Sequence, residues 1–366
     1  MCLYPKLIKN RKYLPNKKNG GKPPTIKDPR TAWVPVGCQK CIECKKQKAR
    51  AWTIRLQEEI RTNKNGQFVT LTFSNESIKQ LTDILYEENG GEEITGYQLD
   101  NEIATLATRR FLERWRKEHG KSIKHWLVTE LGHNGTENIH IHGLIFTKNK
   151  KEIKKRWKYG FVFVGDYVND KTINYISKYI LKADEKHKQY QSIVLTSPGI
   201  GSNYIKRADA TLNKYKVTGE TKETYTTRSG TKINLPIYFR NKIYTEEERE
   251  LLWLQKLDKN ERWVCGSRVD MSREPIQYYE LLKYHRERNA RLGYGNDEKN
   301  WEQHKYEEQR RNLLIKKRIT NVDTNDKAQR LHRKRTKGNL GNHSNDRIKY
   351  LESIGVRQTD QSTSRN

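Results

Sequence analysis

The chain lacks long apolar segments. Hydrophobic residues make up only 33% of its 366 residues, while charged residues make up 32%. No apolar run approaches the roughly 20 residues of a spanning helix, and no apolar segment behind a basic start resembles a secretory leader. This composition favours a soluble intracellular protein with a modest core and extensive polar loops or a polar end.

Acidic residues are also scarce compared with basic ones. The sequence has 44 Asp and Glu against 73 Lys and Arg, a formal net charge of +29. Each Lys or Arg placed against a phosphate releases condensed counterions, so a polyanion is the expected partner and nucleic acid the first candidate. A membrane surface or an acidic protein is less favoured, and we expect no membrane partner.

Nucleotide-binding fingerprints are missing. The pattern G-x-x-x-x-G-K-[ST] does not occur, and the "GIG" at 199–201 lacks the third glycine and the strand-turn-helix context of a dinucleotide site. We therefore expect no helicase activity in the chain itself.

Cysteine is scarce, and the five cysteines are clustered rather than spread along the chain. Cys38, Cys41 and Cys44 follow one another at a spacing of three, Cys2 opens the chain and Cys265 stands alone. The odd count and the clustering argue against a secreted disulfide framework. The first four thiols match the number of ligands in a structural zinc site, although unligated thiols explain them equally well and an iron–sulfur cluster is a further alternative.

Hydrophobic spacing predicts an α+β fold. The predicted elements are a loop over 1–37, a helix over about 45–62, a strand over 67–74, a helix that ends at Gly120, strands over 125–131, 138–146 and 159–167, and a helix over 172–182 that Asp170 caps. The polar link "GHNGTE" predicts that the two middle strands form an antiparallel hairpin. Beyond residue 245 the pattern is mainly helical, and a central antiparallel sheet flanked by helices follows from the element order.

The most specific motif is His140-Ile141-His142 within a predicted strand. Because successive side chains on a strand alternate, both histidines face one side while the neighbouring isoleucines face the other. A bare H-x-H is usually an ordinary pair of histidines, but Glu130 lies ten positions upstream and can reach the pair across the hairpin. Two imidazoles and a carboxylate suit a catalytic divalent ion, with His133 in the turn as a rival third ligand.

The segment "NYISKYILK" at 174–182 places Tyr175 and Tyr179 on one face of a helix, with Lys178 and Lys182 alongside. By itself this pattern is typical of packed tyrosines and solvated lysines. A phenol with the ordinary pKa near 10 is only about 0.1% ionised at pH 7. A nearby ammonium favours the phenolate, and a divalent ion polarises a phosphodiester, so the combined motifs predict covalent cleavage of a nucleic-acid strand.

Three segments, in chain order, resemble the motifs of the HUH endonuclease superfamily, which starts rolling-circle replication. They are "QFVTLTFS", "NIHIHGLIF" and "YISKYILK". The doubled tyrosine resembles the two-tyrosine initiators of bacteriophage rather than single-tyrosine nickases. The segments "MCLYPKLIKN", "VPVGCQKCIECKKQKARAW", "GIGSNYI" and "LPIYFRNKIY" resemble the replication initiators of the Microviridae, especially the gokushovirus-like branch, and this resemblance covers roughly residues 1–245.

The resemblance implies a catalytic cycle. One tyrosine attacks the origin phosphate and forms a 5′-phosphotyrosine, which leaves a 3′-hydroxyl for a host polymerase; the second tyrosine cleaves the regenerated origin, and the released end closes a circle. It implies Tyr175, Tyr179, Lys178 and Lys182 as catalytic residues, with Mg²⁺ or Mn²⁺ on the histidine strand. The implied partners are single-stranded or supercoiled phage origin DNA, a host helicase and a host DNA polymerase, in the bacterial cytoplasm. The order of the tyrosines stays open.

Four segments are expected on this basis. They are a Cys-rich segment and helix over 1–62, an HUH nickase domain over 63–190, an accessory segment over 191–245, and a basic, helical extension with a mobile tail over 246–366. Two other functions fit the same features. One is an HUH transposase or plasmid relaxase-like enzyme, and the other is a non-catalytic, zinc-stapled protein that binds single-stranded DNA.

Overall fold

The structure is a computed structural model, and it describes residues 2–132, 137–165, 167–183, 187 and 190–296. The chain divides into two compact units. One comprises Met1–Lys9 and Trp33–Tyr306, and the other comprises Asn10–Ala32 and Glu307–Asn366. Within the described ranges, none of the helices combines the length and the apolar character that crossing a membrane requires.

The elements of the described residues alternate between helix and strand. The strands are β1 (Lys6–Lys9), β2 (Trp33–Val36), β3 (Gly66–Leu71), β4 (Lys124–Leu131), β5 (Ile139–Phe146), β6 (Val162–Val164), β7 (Val194–Thr196), β8 (Thr224–Thr226), β9 (Lys232–Asn234), β10 (Glu261–Val264) and β11 (Ser267–Asp270). The α-helices are α1 (Ile42–Thr62), α2 (Asn75–Glu88), α3 (Gly96–His119), α4 (Lys150–Arg156), α5 (Asp170–Leu181), α6 (Ala208–Thr211), α7 (Ile237–Ile243), α8 (Glu246–Asp258) and α9 (Pro275–Arg291). Short 3₁₀ helices span Arg11–Tyr13, Lys17–Asn19, Pro29–Ala32 and Ser202–Lys206.

An antiparallel sheet of five strands, in the order β6-β3-β5-β4-β7, forms the centre of the first unit. The predicted α+β class is therefore confirmed, and so is the hairpin of β4 and β5. Strand β7 lies beyond residue 190 and pairs with β4. The four segment boundaries expected from the sequence stay a prediction.

The two faces of the sheet carry separate cores. On one face, helices α2, α3 and α4 pack over the inward side chains of β3, β4 and β5, among them Leu71, Leu127 and Ile141. On the other face, α1 and α5 cover Trp126 and Leu144. Each strand of the hairpin is thus buried on both faces near its middle, which fixes its register because a shift by one residue would exchange the two faces.

Helix α5 lies on the second face because three isoleucines form its inner stripe. Ile173, Ile176 and Ile180 are spaced three and four apart and are buried. Burial of each contributes roughly 1.5–3 kcal/mol relative to exposure. Asn169, rather than the expected Asp170, caps the helix and forms a capping box with the residue three positions on. Both residues are good caps, so their side chains alone could not decide between them.

Several local predictions were wrong. The predicted loop over 1–37 contains the two-stranded sheet of β1 and β2, which are too short to show a period. Helix α2 was missed although Ser74 caps it and Leu81 and Leu85 line its buried side. The strand expected over 159–167 is regular only over β6, and α4 precedes it.

The C-terminal helical prediction is confirmed for α8 and α9, which flank a hairpin of β10 and β11. The third helical pattern, over 301–318, and the polar tail lie outside the described residues. In the second unit, Asn10–Ala32 forms three 3₁₀ turns, and Asn16 closes a capping box with Asn19.

Gly143 sits where the central strands approach most closely. A Cβ atom at this position would lie 2.1 Å from the carbonyl oxygen of Trp126. We predict that Gly143→Ala lowers the free energy of unfolding by at least about 1–3 kcal/mol, because backbone atoms of β4 would have to move. Urea denaturation measures the effect. Gly165→Ala is the control, since its Cβ would meet only the Phe68 side chain at 3.4 Å, and equal midpoints for the two variants would contradict the prediction.

Candidate active site

The histidine motif lies in β5 with the alternation that the sequence predicts. Ile139 and Ile141 are buried against α3, whereas His140 and His142 are partly exposed on the opposite face. Glu130 is the direct partner of His140 in the ladder of β4 and β5. Its Oε2 atom lies 3.0 Å from His142 Nε2, so the hairpin brings the carboxylate and the histidine strand together.

The imidazole of His142 is held from three sides. Its Nδ1 atom lies 3.0 Å from the hydroxyl of Thr70 on β3. Its ring stacks on the Tyr179 ring, with centroids 4.4 Å apart and planes 2° from parallel. If Nδ1 donates to Thr70, the Nε2 lone pair points toward Glu130 and is available to a cation, the usual arrangement of a metal-binding histidine.

The charges of the site suit cation binding. Burial disfavours the carboxylate of Glu130, but hydrogen bonds from His142 and Lys182 outweigh it and lower the pKa of Glu130 below its usual range. Burial, and then the neighbouring His142, lower the pKa of His140. An ionised carboxylate and a neutral imidazole are the forms that ligate metals.

The three side chains have the right chemistry for a divalent ion, but they are not gathered around one point. Lys182 Nζ lies 2.6 Å from Glu130 Oε1, so an ammonium group occupies one carboxylate oxygen. Across the described part of the chain, the four N-terminal cysteines are the one set of three or more potential ligands whose atoms all lie within 4.8 Å of one another. A shared ion would require the Glu130 and His140 side chains to converge. The rival ligand His133 lies outside the described residues.

The two tyrosines present their hydroxyls at one place. The Tyr179 hydroxyl donates to the Tyr175 hydroxyl over 2.8 Å. Tyr175 is 51% exposed and its ring contacts the edge of Phe68, whereas Tyr179 is half-buried over His142. Two chemically identical groups therefore occupy different environments.

The lysines do not act as the sequence suggested. We expected an ammonium group to favour the phenolate of each tyrosine. Instead burial, the hydrogen bond to Tyr175 and the charge of Glu130 raise the pKa of Tyr179, because Lys182 is paired with that carboxylate. Lys178 is exposed and makes no ion pair with any residue that the structure describes.

The four cysteines predicted as ligands come together. Sγ atoms are 3.8 Å apart for Cys2 and Cys41 and 4.0 Å apart for Cys38 and Cys44. A tetrahedron of thiolates around zinc, with bonds of about 2.3 Å, has edges of about 3.8 Å. Backbone N–H groups of Tyr4 and Cys38 also donate to the Cys2 sulfur. The cluster could therefore bind a structural metal such as zinc.

The C-terminal helix α9 packs against this cysteine cluster, a role that the sequence did not indicate. Asn289 accepts the backbone N–H of Ile42, the first residue of α1, and Arg286 donates to the carbonyl of Leu3. Tyr294 follows α9 and donates to the carbonyl of Leu181 at the end of α5 over 2.9 Å. The cysteine cluster and the tyrosine helix are thus joined through one element.

The basic segments noted in the sequence lie mostly away from the tyrosines. Helices α3 and α4 cover the opposite face of the sheet, where Arg109 pairs with Glu88 and Arg156 with Glu152. Arg55 on α1 is packed between two aromatic rings and donates to a backbone carbonyl. These cations have structural partners, so their number alone does not locate a phosphate track.

Sequence reasoning also missed two aromatic positions beside the site. Phe68 on β3 touches the Tyr175 ring, and Phe163 on β6 touches Phe68. The alternation in "QFVTLTFS" already placed Phe68 and Thr70 on one face. The contact with the tyrosine helix depended on long-range packing that no local pattern records.

Comparison with known proteins gives two matches. Residues 66–184, which run from β3 through the tyrosine helix, match a family model described as replication-associated protein ORF2. Over 243 residues the chain is 26% identical to the replication-associated protein ORF2 of Spiroplasma virus 4, which covers 59% of this chain and 69% of that protein. No solved structure matches the chain significantly. The similarity to viral replication-associated proteins therefore includes the segment that carries the site.

The cysteine cluster generates a prediction about metal content. We expect the purified protein to hold one zinc ion per chain and Cys44→Ser to lose it, with a fall in the free energy of unfolding of about 4 kcal/mol or more. Elemental analysis and urea denaturation measure both effects. Cys265→Ser is the matched control because Cys265 lies outside the cluster of ligands. Full zinc content in Cys44→Ser, or none in the unmodified protein, would contradict the assignment.

Proposed function

We propose that the protein initiates rolling-circle replication of a single-stranded DNA phage by nicking origin DNA through a tyrosine and later rejoining the strand. The observation that carries the proposal is the pair of tyrosine hydroxyls, 2.8 Å apart, above the histidine strand. The match to replication-associated proteins spans that site, and the charge of +29 suits a DNA partner. The sequence motifs resemble those of the HUH enzymes and of the Microviridae initiators.

A divalent ion fits the donor types of the site. Glu130, His140 and His142 would hold Mg²⁺ or Mn²⁺, which when bound polarises the scissile phosphate. Thr70 would orient His142, and Lys182 would keep the carboxylate of Glu130 ionised. The thiols of the N-terminal cluster would hold zinc as a structural ion only.

Tyr175 is the proposed first nucleophile. Its hydroxyl is the more exposed of the two, and it accepts the proton of the Tyr179 hydroxyl, so Tyr179 stabilises negative charge on the Tyr175 oxygen. In the proposed step a bond forms between that oxygen and the phosphorus. The bond from phosphorus to the 3′-oxygen breaks, and this oxygen leaves with the electron pair and becomes the primer end.

Tyr179 is then the proposed second nucleophile. Its pKa is raised by burial, by its bond to Tyr175 and by Glu130, which keeps it protonated while Tyr175 reacts. Esterification of Tyr175 changes the partner of that hydrogen bond, so one of these three effects changes after the first step. The released 3′-hydroxyl would finally attack the first phosphotyrosine and close the circle. A host polymerase and a host helicase would act between the two cleavages, in the bacterial cytoplasm.

Covalent trapping tests the proposal. Labelled single-stranded oligonucleotides tiled across the cognate phage genome are incubated with the protein and Mn²⁺, and adducts are counted on denaturing gels. We expect one oligonucleotide to form an adduct, Tyr175→Phe to reduce it by several orders of magnitude, and Tyr179→Phe to retain most of it, as loss of a nucleophile does elsewhere.

Each alternative outcome has a distinct meaning. An adduct that survives the double change of Tyr175 and Tyr179 to Phe would refute the tyrosine mechanism. Strong, salt-sensitive binding without any adduct would instead identify a non-catalytic protein that binds single-stranded DNA. A reversed effect of the two single changes would contradict only the order of attack.

The two lysines provide a matched pair of variants. Because Lys182 pairs with Glu130 whereas Lys178 is exposed, we predict that Lys182→Gln slows adduct formation about 10- to 100-fold, as loss of a group that orients a metal ligand typically does. Lys178→Gln should change the rate little. Initial rates at saturating Mn²⁺ measure both. Equal rates for the two variants would contradict a separate role for Lys182.

A further inference from the structure

Two phenylalanines are exposed on the edge strand of the sheet. Phe161 is 69% exposed and Phe163 is 49% exposed, although both are large apolar side chains. Residues two apart on a strand project to the same face. Phe163 pairs with Thr70, and Thr70 pairs with His142, so all three side chains share one face of the sheet. The exposed rings therefore lie on the histidine side.

The backbone beneath these rings is fixed. The N–H of Phe161 donates to the Thr72 hydroxyl over 2.8 Å, and the N–H of Thr72 donates to the Phe161 carbonyl over 3.0 Å. Gly160 lies so close that an added Cβ would be 2.5 Å from the Thr72 carbonyl oxygen. The Trp157 indole donates to the same oxygen over 2.9 Å. Phe161 is thus presented by an anchored segment and not by a loose loop.

The exposed rings continue into the candidate active site. Phe68 contacts both Phe163 and Tyr175 edge to face, each with a centroid distance of 6.2 Å. Tyr175 in turn contacts Tyr179, whose ring lies on His142. Two strand spacings, about 10 Å, separate the Phe163 backbone from the His142 backbone. A nucleotide next to a phosphate at the tyrosines would fall within this distance.

We propose that Phe161 and Phe163 form a platform on which bases flanking the scissile phosphate of the single-stranded substrate stack. The proposal rests on the proposed function, because only a nucleic-acid strand bound at the tyrosines would bring bases to these rings. Aromatic faces accept any base, and they suit single strands whose bases are unpaired. Exposed Lys158, close before Phe161, adds a cation beside the platform for the phosphate backbone. The platform would set the path of the strand into the site.

Binding of defined oligonucleotides tests the platform. The probes are a fluorescein-labelled single strand of mixed sequence and a strand of equal length whose sugars carry no bases. We expect the double variant Phe161→Leu, Phe163→Leu to bind the normal strand at least about tenfold more weakly in fluorescence anisotropy. Affinity for the abasic strand, and the dependence of binding on salt, should stay unchanged because the phosphate contacts remain.

A matched control is Tyr86→Leu, since Tyr86 is 51% exposed but lies on α2, on the opposite face of the sheet. This variant should bind both strands as the unmodified protein does. Unchanged binding in the double variant, or an equal loss for the abasic strand, would overturn the platform. A double variant that loses self-association instead of DNA affinity would also overturn it, by assigning the face to a second copy of the chain.

Covalent trapping in the same preparations separates this proposal from the previous one. An adduct with unchanged binding in the double variant would support the nickase and refute the platform. Selective loss of base-dependent binding without any adduct in the unmodified protein would support the platform as a DNA contact and refute the nickase. Thermal unfolding of the double variant should match the unmodified protein, because both side chains are exposed.

Discussion

Ile173, Ile176 and Ile180 hold helix α5 against the sheet, and this packing determines where both tyrosines lie. The inner stripe leaves Tyr179 over His142 and turns Tyr175 toward solvent. The same sheet face carries Glu130 opposite the histidine strand, because the register of β4 and β5 is fixed by burial on two sides. The chemistry of the site therefore depends on an apolar contact beneath it.

The cysteine cluster extends this dependence to both ends of the described chain. Thiols from the first residues and from the start of α1 meet near α9, and Tyr294 beyond α9 binds the last turn of α5. A metal that closes the cluster would stabilise the segment that anchors the end of the tyrosine helix. Loss of that metal should thus disturb the tyrosines as well as stability, although no thiol contacts them directly.

Much of the site could be predicted because its parts are local. Strict alternation places His140 and His142 together, and a short polar turn brings Glu130 beside them. The asymmetry of the tyrosines could not be predicted, since it arises from Glu130 and Lys182, which are 52 positions apart and meet only in the folded chain. Capping by Asn169 and the packing of α9 were missed for similar reasons: equivalent residue types compete for the cap, and the contacts of α9 span most of the chain.

Peptide mapping of the covalent adduct tests the central claim most directly. Trypsin cleaves after Lys171, Lys178 and Lys182, so residues 172–178 carry Tyr175 and residues 179–182 carry Tyr179 on separate peptides. After nuclease digestion, mass spectrometry locates the remaining nucleotide tag. For a single turnover we expect the tag on the peptide 172–178. A tag on any other peptide, including 179–182, or the absence of a covalent tag would contradict the assignment of Tyr175 as the first nucleophile.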